Sequence, residues 1–461
     1  MDFALPVIVA VVAIISVLLT PKAAGEGAFF KGLSPSGKQP GVLTLTFSLV
    51  TTWIFARSLM NAAILGFYYG LWGTLAYAAY YLSFLTGGRI IDSLRFKQGY
   101  PSVQAFLADR FGSWGTHCYN FVIGVRLISE VFANLLVIGI LFGVAGTETY
   151  TLAVIGLASV TLLYSMAGGL HASLRTDFFQ MLVFMAVLAF LMALALGGGH
   201  FTDDALLFKP FEIGEPGPIL MLVAFLQIWS YPMHDPVMMD RGFLTDRKTT
   251  RRSFLHAAWI SALCITLFGS LGVLAGANAQ ADEAMNTVLI RLLGDLPMLL
   301  FNAALVISAM STLDSTLSSS GKLAAMDMGV MEPTLHNGRI TMALFMLAGL
   351  LLVFVGNQDL FSAVAVSGTA SMYLAPVIFF SLWGNRTDIP VWSYVATFFI
   401  AIGGATLYFT ESSGHSHWLG EIHKYTKLLY ISFTVLGTGC FLFWLGSKVS
   451  GRDTDAVVET T

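Results

Sequence analysis

About thirteen apolar windows, near 3–20, 41–64, 66–88, 118–145, 149–167, 171–198, 217–239, 253–276, 297–322, 338–356, 359–383, 391–410 and 426–446, leave this chain few folds to choose from. Each approaches the ~20 residues a helix needs to cross ~30 Å of hydrocarbon. In lipid the backbone has no water to bond, and a helix satisfies its N–H and C=O groups internally. Of 461 residues, 56% are hydrophobic and 11% charged, against roughly 25% charged in soluble domains. The predicted fold class is an all-α polytopic membrane protein. Window 3–20 lacks a basic leader and a small-residue cleavage site, so it is expected to remain as a span. Cys118, Cys264 and Cys440 lie in apolar segments, match no disulfide or metal spacing, and read as packing residues.

An odd number of spans puts the termini on opposite sides, and Lys and Arg decide which. Placing the 21–40 linker in the cytoplasm gathers most basic residues there, including Lys22, Arg89, Arg110, Arg175, Arg241, Arg247, Lys322 and Lys448. The outer side receives only Lys209, Arg291, Lys424 and Lys427. The N-terminus is therefore expected outside a plasma or inner membrane, and the C-terminus in the cytoplasm. Stretch 101–114, amphipathic through Val103, Phe106, Leu107 and Phe111, is expected on the inner membrane surface. The polar tail after Lys448 is expected to be disordered, with no room for a signalling domain.

The most polar of the apolar stretches is Asn302–Asp327. On a helix, Ser308, Ser311, Thr312, Ser315 and Ser319 share one face, with Asp314 beside it. A carboxylate at that depth costs at least roughly 2.5–3.5 kcal/mol on insertion scales, so it needs a partner, a cavity or an ion. Hydroxyls alone can bond back to the carbonyl four residues earlier. Five on one stripe with an acid alongside suggest a hydrated ion site rather than helix-packing glue. Asp177 enters its span at a similar depth, so the two acids could meet.

Two five-span blocks, 41–198 and 217–383, run in opposite directions, as an inverted repeat requires. They are flanked by an N-terminal span and linker (1–40), an outer loop (199–216), two further spans (384–446) and a tail (447–461). Transporters of this kind place their sites where the first helix of each repeat breaks. In the second block Trp229-Ser230-Tyr231-Pro232 announces such a break. In the first there is no Gly or Pro between Thr44 and Gly66, and only Ser48, Thr51, Thr52, Ser58 and Asn61 hint at one.

Gly168-Gly169…Ala172…Thr176-Asp177…Gln180 resembles the signature of the sodium:solute symporter family. Ala309-Met310-Ser311-Thr312-Leu313 with Met326-Asp327 is similar to that family's sodium-binding helix, and Asp235…Arg241 resembles a third element, with Asp240 where Gln is usual. Over roughly 41–383, the resemblance implies a leucine-transporter-like inverted repeat coupled to Na⁺. It implies a sodium site built from backbone carbonyls of the unwound 49–55 stretch (Val50, Trp53), the Ser308 carbonyl, and the Ser311 and Thr312 hydroxyls. A second cation site, present in some members, would use Asp177, Ser311, Asp314 and Ser315. Oxygen ligands suit a hard cation. Asp314 departs from the usual neutral residue, and two acids could bind Na⁺ tightly or let one carry a proton.

For the solute, the candidates are Trp53, Arg57, Asn61, Arg126, Trp229 and Tyr231. Arg57 reads either as an anchor for a carboxylate or, as the expectation preferred, as a buried partner of Glu130. Arg126 and Glu130 form an i, i+4 pair. His234 and Asp235 are expected to cap or ion-pair rather than relay protons. His415, His417 and His423 with Glu411 and Glu421 read as a solvated loop rather than a metal site. No nucleophile, phosphate loop or zinc pattern accompanies the acids, so no enzyme is expected, and neither a nucleic acid nor an obligate protein partner is implied. The expected activity is Na⁺-coupled import of a small polar organic solute by alternating access in the lipid bilayer. A proton-coupled transporter or a solute sensor on the same fold are the alternatives.

Overall fold

Nearly every apolar window is helical in the computed structural model, which describes residues 4–22, 25–34, 36–199, 201–355 and 366–458. No strand occurs among the described residues. In chain order the helices are α1 (Ala4–Leu19), α2 (Glu26–Lys31), α3 (Val42–Trp53), α4 (Ala56–Ala79), α5 (Ser83–Ile91), α6 (Val103–Phe142), α7 (Glu148–Gly197) and α8 (Asp203–Leu206). There follow α9 (Pro216–Gln227), α10 (Tyr231–His234), α11 (Pro236–Gly242), α12 (Arg247–Ala277), α13 (Met285–Leu293), α14 (Asp295–Lys322) and α15 (Leu335–Val355). Helices Val366–Trp383, Val391–Ser412 and Lys424–Val458 complete the described chain.

Among the described residues eight helices are long and apolar enough to cross a membrane, or nine if a bent pair is counted as one span. The protein is thus a multi-pass membrane protein. The larger number of apolar windows reflects how helices break and merge. Window 217–239 is divided among α9, α10 and α11, and windows 149–167 and 171–198 fall within α7. The fifty residues of α7 would measure ~75 Å if straight, more than two bilayer cores. It breaks at Gly169, whose φ of +58° suits a residue without a side chain. A Cβ there would lie 2.6 Å from the Phe29 carbonyl oxygen, and one on Gly168 2.5 Å from that of Pro21. The glycine pair therefore lets the linker from α1 run against α7.

Window 41–64 breaks although it has neither Gly nor Pro after Thr44. α3 ends at Trp53, Ile54 and Phe55 leave the helical region, and α4 begins at Ala56, with a bend of 61°. The second break spans Ile228 to Asp235, around the short α10. Asp235 caps α11, its Oδ1 accepting from the Met238 N–H at 2.8 Å, a bond worth about 1 kcal/mol.

α14 sits at the centre, and every residue from Ala303 to Gly321 is buried. Leu163, Leu347, Leu351 and Phe433 are exposed on the periphery, facing where lipid would be. The tail expected to be disordered after Lys448 is instead helical as far as Val458, and two surface expectations are corrected as well. The apolar face of the 103–111 segment is covered by protein: Val103, Phe106, Leu107 and Phe111 are all buried, and Phe111 stacks on Tyr394 at 4.5 Å. Arg241, counted with the inner-surface charges, is wholly buried beside Asp177. There the fold surrounds it with hydroxyls and a carboxylate.

Candidate ion and solute site

The hydroxyl stripe meets the acid it was expected to share a depth with. Asp177 is fully buried on α7, and its Oδ1 accepts from Ser311 at 2.8 Å while its Oδ2 accepts from Ser48 at 2.6 Å. Ser315 donates to the same carboxylate at 3.3 Å. The positive charge facing it is Arg241, 3.8 Å away. That guanidinium also donates to Ser48, Ser319, Ser173 and Ser315 at 3.1–3.3 Å. Four elements of the chain, α3, α7, α11 and α14, are knotted at this point, none adjacent in sequence. Asp314 does not join them directly. It turns to Ser165 and Thr176, which donate to its two oxygens at 2.7 and 2.8 Å, and among the described residues no cation lies within ion-pair distance.

One turn further along α14, the stripe meets the first break. Ser308 donates to the Ile54 carbonyl, and Tyr81 donates to the Trp53 carbonyl at 2.8 Å. Thr312 gives its proton to the Ser308 carbonyl at 3.0 Å, and Ser311 has given its proton to Asp177. Both hydroxyl oxygens therefore keep lone pairs for another partner. The Val50 carbonyl still accepts the Ile54 N–H at 2.8 Å, but a carbonyl oxygen has two lone pairs. The oxygens of Val50, Trp53, Ser308, Ser311 and Thr312 suit a small hard cation, and a narrow cavity lined by Thr51, Ile54, Ser308 and Ser311 lies beside them.

Beyond the break lies a third group. Arg126 pairs with Glu130 in the i, i+4 geometry expected, and also with Asp235 at 3.1 Å. Glu130 takes a further bond from Thr316 at 3.3 Å. The preferred expectation for Arg57, a pair with Glu130, is overturned: Arg126 occupies that acid, and Arg57 has no carboxylate within ion-pair distance among the described residues. Arg57, Trp53 and Tyr231 line one cleft with Phe55 and Tyr77. Asn61 is buried one turn along from Arg57. Trp229 is not brought here; it is 38% exposed and packs edge-on against Phe379 and Trp383. In the loop before the last helix, His423 bonds Tyr69, and Glu411, read from the sequence as solvated, is buried and pairs with Lys427.

Arg241, Ser48, Ser165 and Thr176 are the site residues the sequence reading did not assign. For Arg241 the signal was the Asp235…Arg241 spacing, which deserved more weight than the charge tally. Among the hydroxyls, Thr176 stood in the signature beside Asp177 and Ser48 among the residues hinting at the first break, whereas Ser165 carried no sequence signal.

No family model matches this chain, and no curated protein does. Solved structures do. A Na⁺-coupled sialic acid symporter in a substrate-bound, outward-open state superimposes with a TM-score of 0.73 at 14% identity, over 96% of this chain and 97% of that one. Mhp1, a nucleobase-cation-symport-1 family transporter in a closed conformation, gives 0.58 at 12% identity, over 95% and 98%. A manganese transporter from Eremococcus coleocola gives 0.54 at 13% identity, over 90% and 95%. All three are transporters rather than enzymes. The fold is that of the leucine-transporter-like secondary transporters, as the resemblance implied.

Proposed function

We propose that this protein is a Na⁺-coupled symporter that imports a small polar organic solute by alternating access. It would be built as a 5+5 inverted repeat within thirteen spans, with the N-terminus outside and the C-terminus in the cytoplasm of the cell membrane. The observation that carries this reading is the junction of Ser308, Ser311 and Thr312 with the carbonyls freed at the Trp53–Ile54 break. A cation there would tie α14 to the broken helix. It would order the Trp53–Arg57 stretch that lines the solute cleft, so solute affinity would rise with Na⁺ and, by linkage, Na⁺ affinity with solute. At Asp177 the positive charge is already supplied by Arg241, which supports one Na⁺ per cycle rather than two.

A specific ion raises stability by mass action. Thermal unfolding of the purified protein is expected to shift upward in Na⁺ but not in K⁺, and Ser311→Ala to abolish that shift. A Na⁺ shift that survives both Ser311→Ala and Thr312→Ala would sink the site assignment. Proton coupling is the second reading, favoured by Asp314, a buried carboxylate held by two hydroxyls with no cation in contact. Uptake driven by a pH gradient without Na⁺, lost in Asp314→Asn, would replace the first reading with this one.

A further inference from the structure

We propose that Arg57 is the anion anchor of the solute cleft and that the transported solute is a small organic monocarboxylate. This rests on the solute-transporter reading above and adds the chemical class. Arg57 is only 1% exposed, and among the described residues its Nε and Nη1 have no hydrogen-bond partner. A buried guanidinium without a carboxylate or acceptor is an expensive arrangement, since desolvation is uncompensated. Its one evident consolation is the ring of Phe55, 5.6 Å from the guanidinium carbon. Trp53 Nε1 lacks a partner too, and so does Asn61 Nδ2 one turn along the same face. All of these unsatisfied atoms are donors.

Among the described residues no neighbouring acceptor is placed to reach these donors. Tyr77, Tyr80 and Tyr81 already donate to Ser58, Gln227 and the Trp53 carbonyl. Glu130 and Asp235 are both engaged by Arg126. The Arg57 Nε and Nη1 donors are thus left without an acceptor, and a planar carboxylate offers two oxygens in the geometry a guanidinium fork accepts. The four buried charges Arg57, Arg126, Glu130 and Asp235 cancel, so a single coupled Na⁺ would balance one negative charge on the solute and leave a second uncompensated. That favours a monoanion over a phosphate or phosphonate dianion. Trp53, Phe55, Tyr77, Tyr80, Tyr81 and Tyr231 wall a narrow cleft of about 20 Å³, so a solute would have to part these rings, whose faces suit a flat or apolar body.

The test is thermal unfolding and equilibrium binding of the full-length protein in Na⁺. Benzoate, lactate and N-acetylneuraminate are compared with benzamide, lactamide, phenylphosphonate, choline and urea. At least one carboxylate is expected to stabilise while its amide does not, and Arg57→Gln to weaken that binding at least tenfold. Arg57→Lys should fall between. Because the buried charge has no partner, Arg57→Gln without solute is expected to unfold no lower than wild type; a markedly lower midpoint would mark a structural arginine and overturn the proposal. Stabilisation by choline or urea, by phenylphosphonate alone, or by no carboxylate at all would also overturn it. A Na⁺ shift that persists in those cases keeps the symporter reading standing. Carboxylate binding lost in Arg57→Gln but indifferent to Na⁺ keeps the anchor and removes the sodium coupling.

Discussion

Arg241 and Arg57 are equally buried and oppositely treated. Arg241 has four hydroxyls and the Asp177 carboxylate around it. Arg57 has an aromatic ring and two N–H-bearing nitrogens without acceptors. The first is a closed network, in which each member is satisfied by protein alone. The second is an open one. A buried cation satisfied internally holds helices together, whereas one left open is held ready for something that arrives from outside.

The largest expected effect breaks the closed network. Arg241→Gln leaves Asp177 as a buried carboxylate without its counter-charge, and removing one partner of such a pair costs about 3–5 kcal/mol. The unfolding midpoint should fall steeply, and Asp177→Asn in the same chain should restore part of it. If Arg241→Gln is harmless, Arg241 and Arg57 do not differ as described. The shift expected of Arg57→Gln, close to zero, is the matching arm.

Next comes the junction between the networks. Tyr81→Phe deletes the donor to the Trp53 carbonyl, leaving an acceptor at the break unsatisfied for about 1–3 kcal/mol. Na⁺ stabilisation should change with it, because the same carbonyl is a proposed ligand. A pure stability loss with Na⁺ response unchanged would remove Trp53 from the ion site.

The smallest effect belongs to a pair outside the membrane. Arg386 holds the Asp388 carboxyl below its usual range through a side-chain hydrogen bond, with both side chains more than a third exposed. A lowered folded-state value means that this stabilisation is present at neutral pH and is lost as pH falls through the carboxylate range. Screened by solvent, it is worth about 0–1 kcal/mol. Asp388→Asn should therefore barely move the midpoint at pH 7 and not at all in acid, in contrast to Arg241→Gln.

The legibility of this site followed the kind of signal each residue carried. The α14 stripe could be read because Ser308, Ser311, Thr312 and Ser315 recur at helical spacing in an apolar context. Asp177 could be read from its motif, and the second break from Pro232. The first break could not be placed firmly, since Ile54 and Phe55 carry no helix-breaking chemistry. Arg241 was misplaced because a tally of basic residues knows nothing of what a helix end is packed against. Trp229 and Tyr231, two residues apart, point to different neighbours across a break where helical periodicity no longer applies.

By itself, then, the sequence determined that this chain crosses membranes as helices, since 56% hydrophobic residues in windows of span length have no other way to satisfy their backbones. It also determined where the hydroxyls and acids lie along those helices. Which arginine was paired and which left open was decided only in three dimensions. Glu130 could have served either Arg57 or Arg126, and packing of α10 and α11 brought Asp235 to Arg126 as well. The break after Trp53 was likewise a tertiary decision: Tyr81 and Ser308, 28 and 254 residues from the carbonyls they satisfy, make an unwound backbone tolerable inside the bilayer.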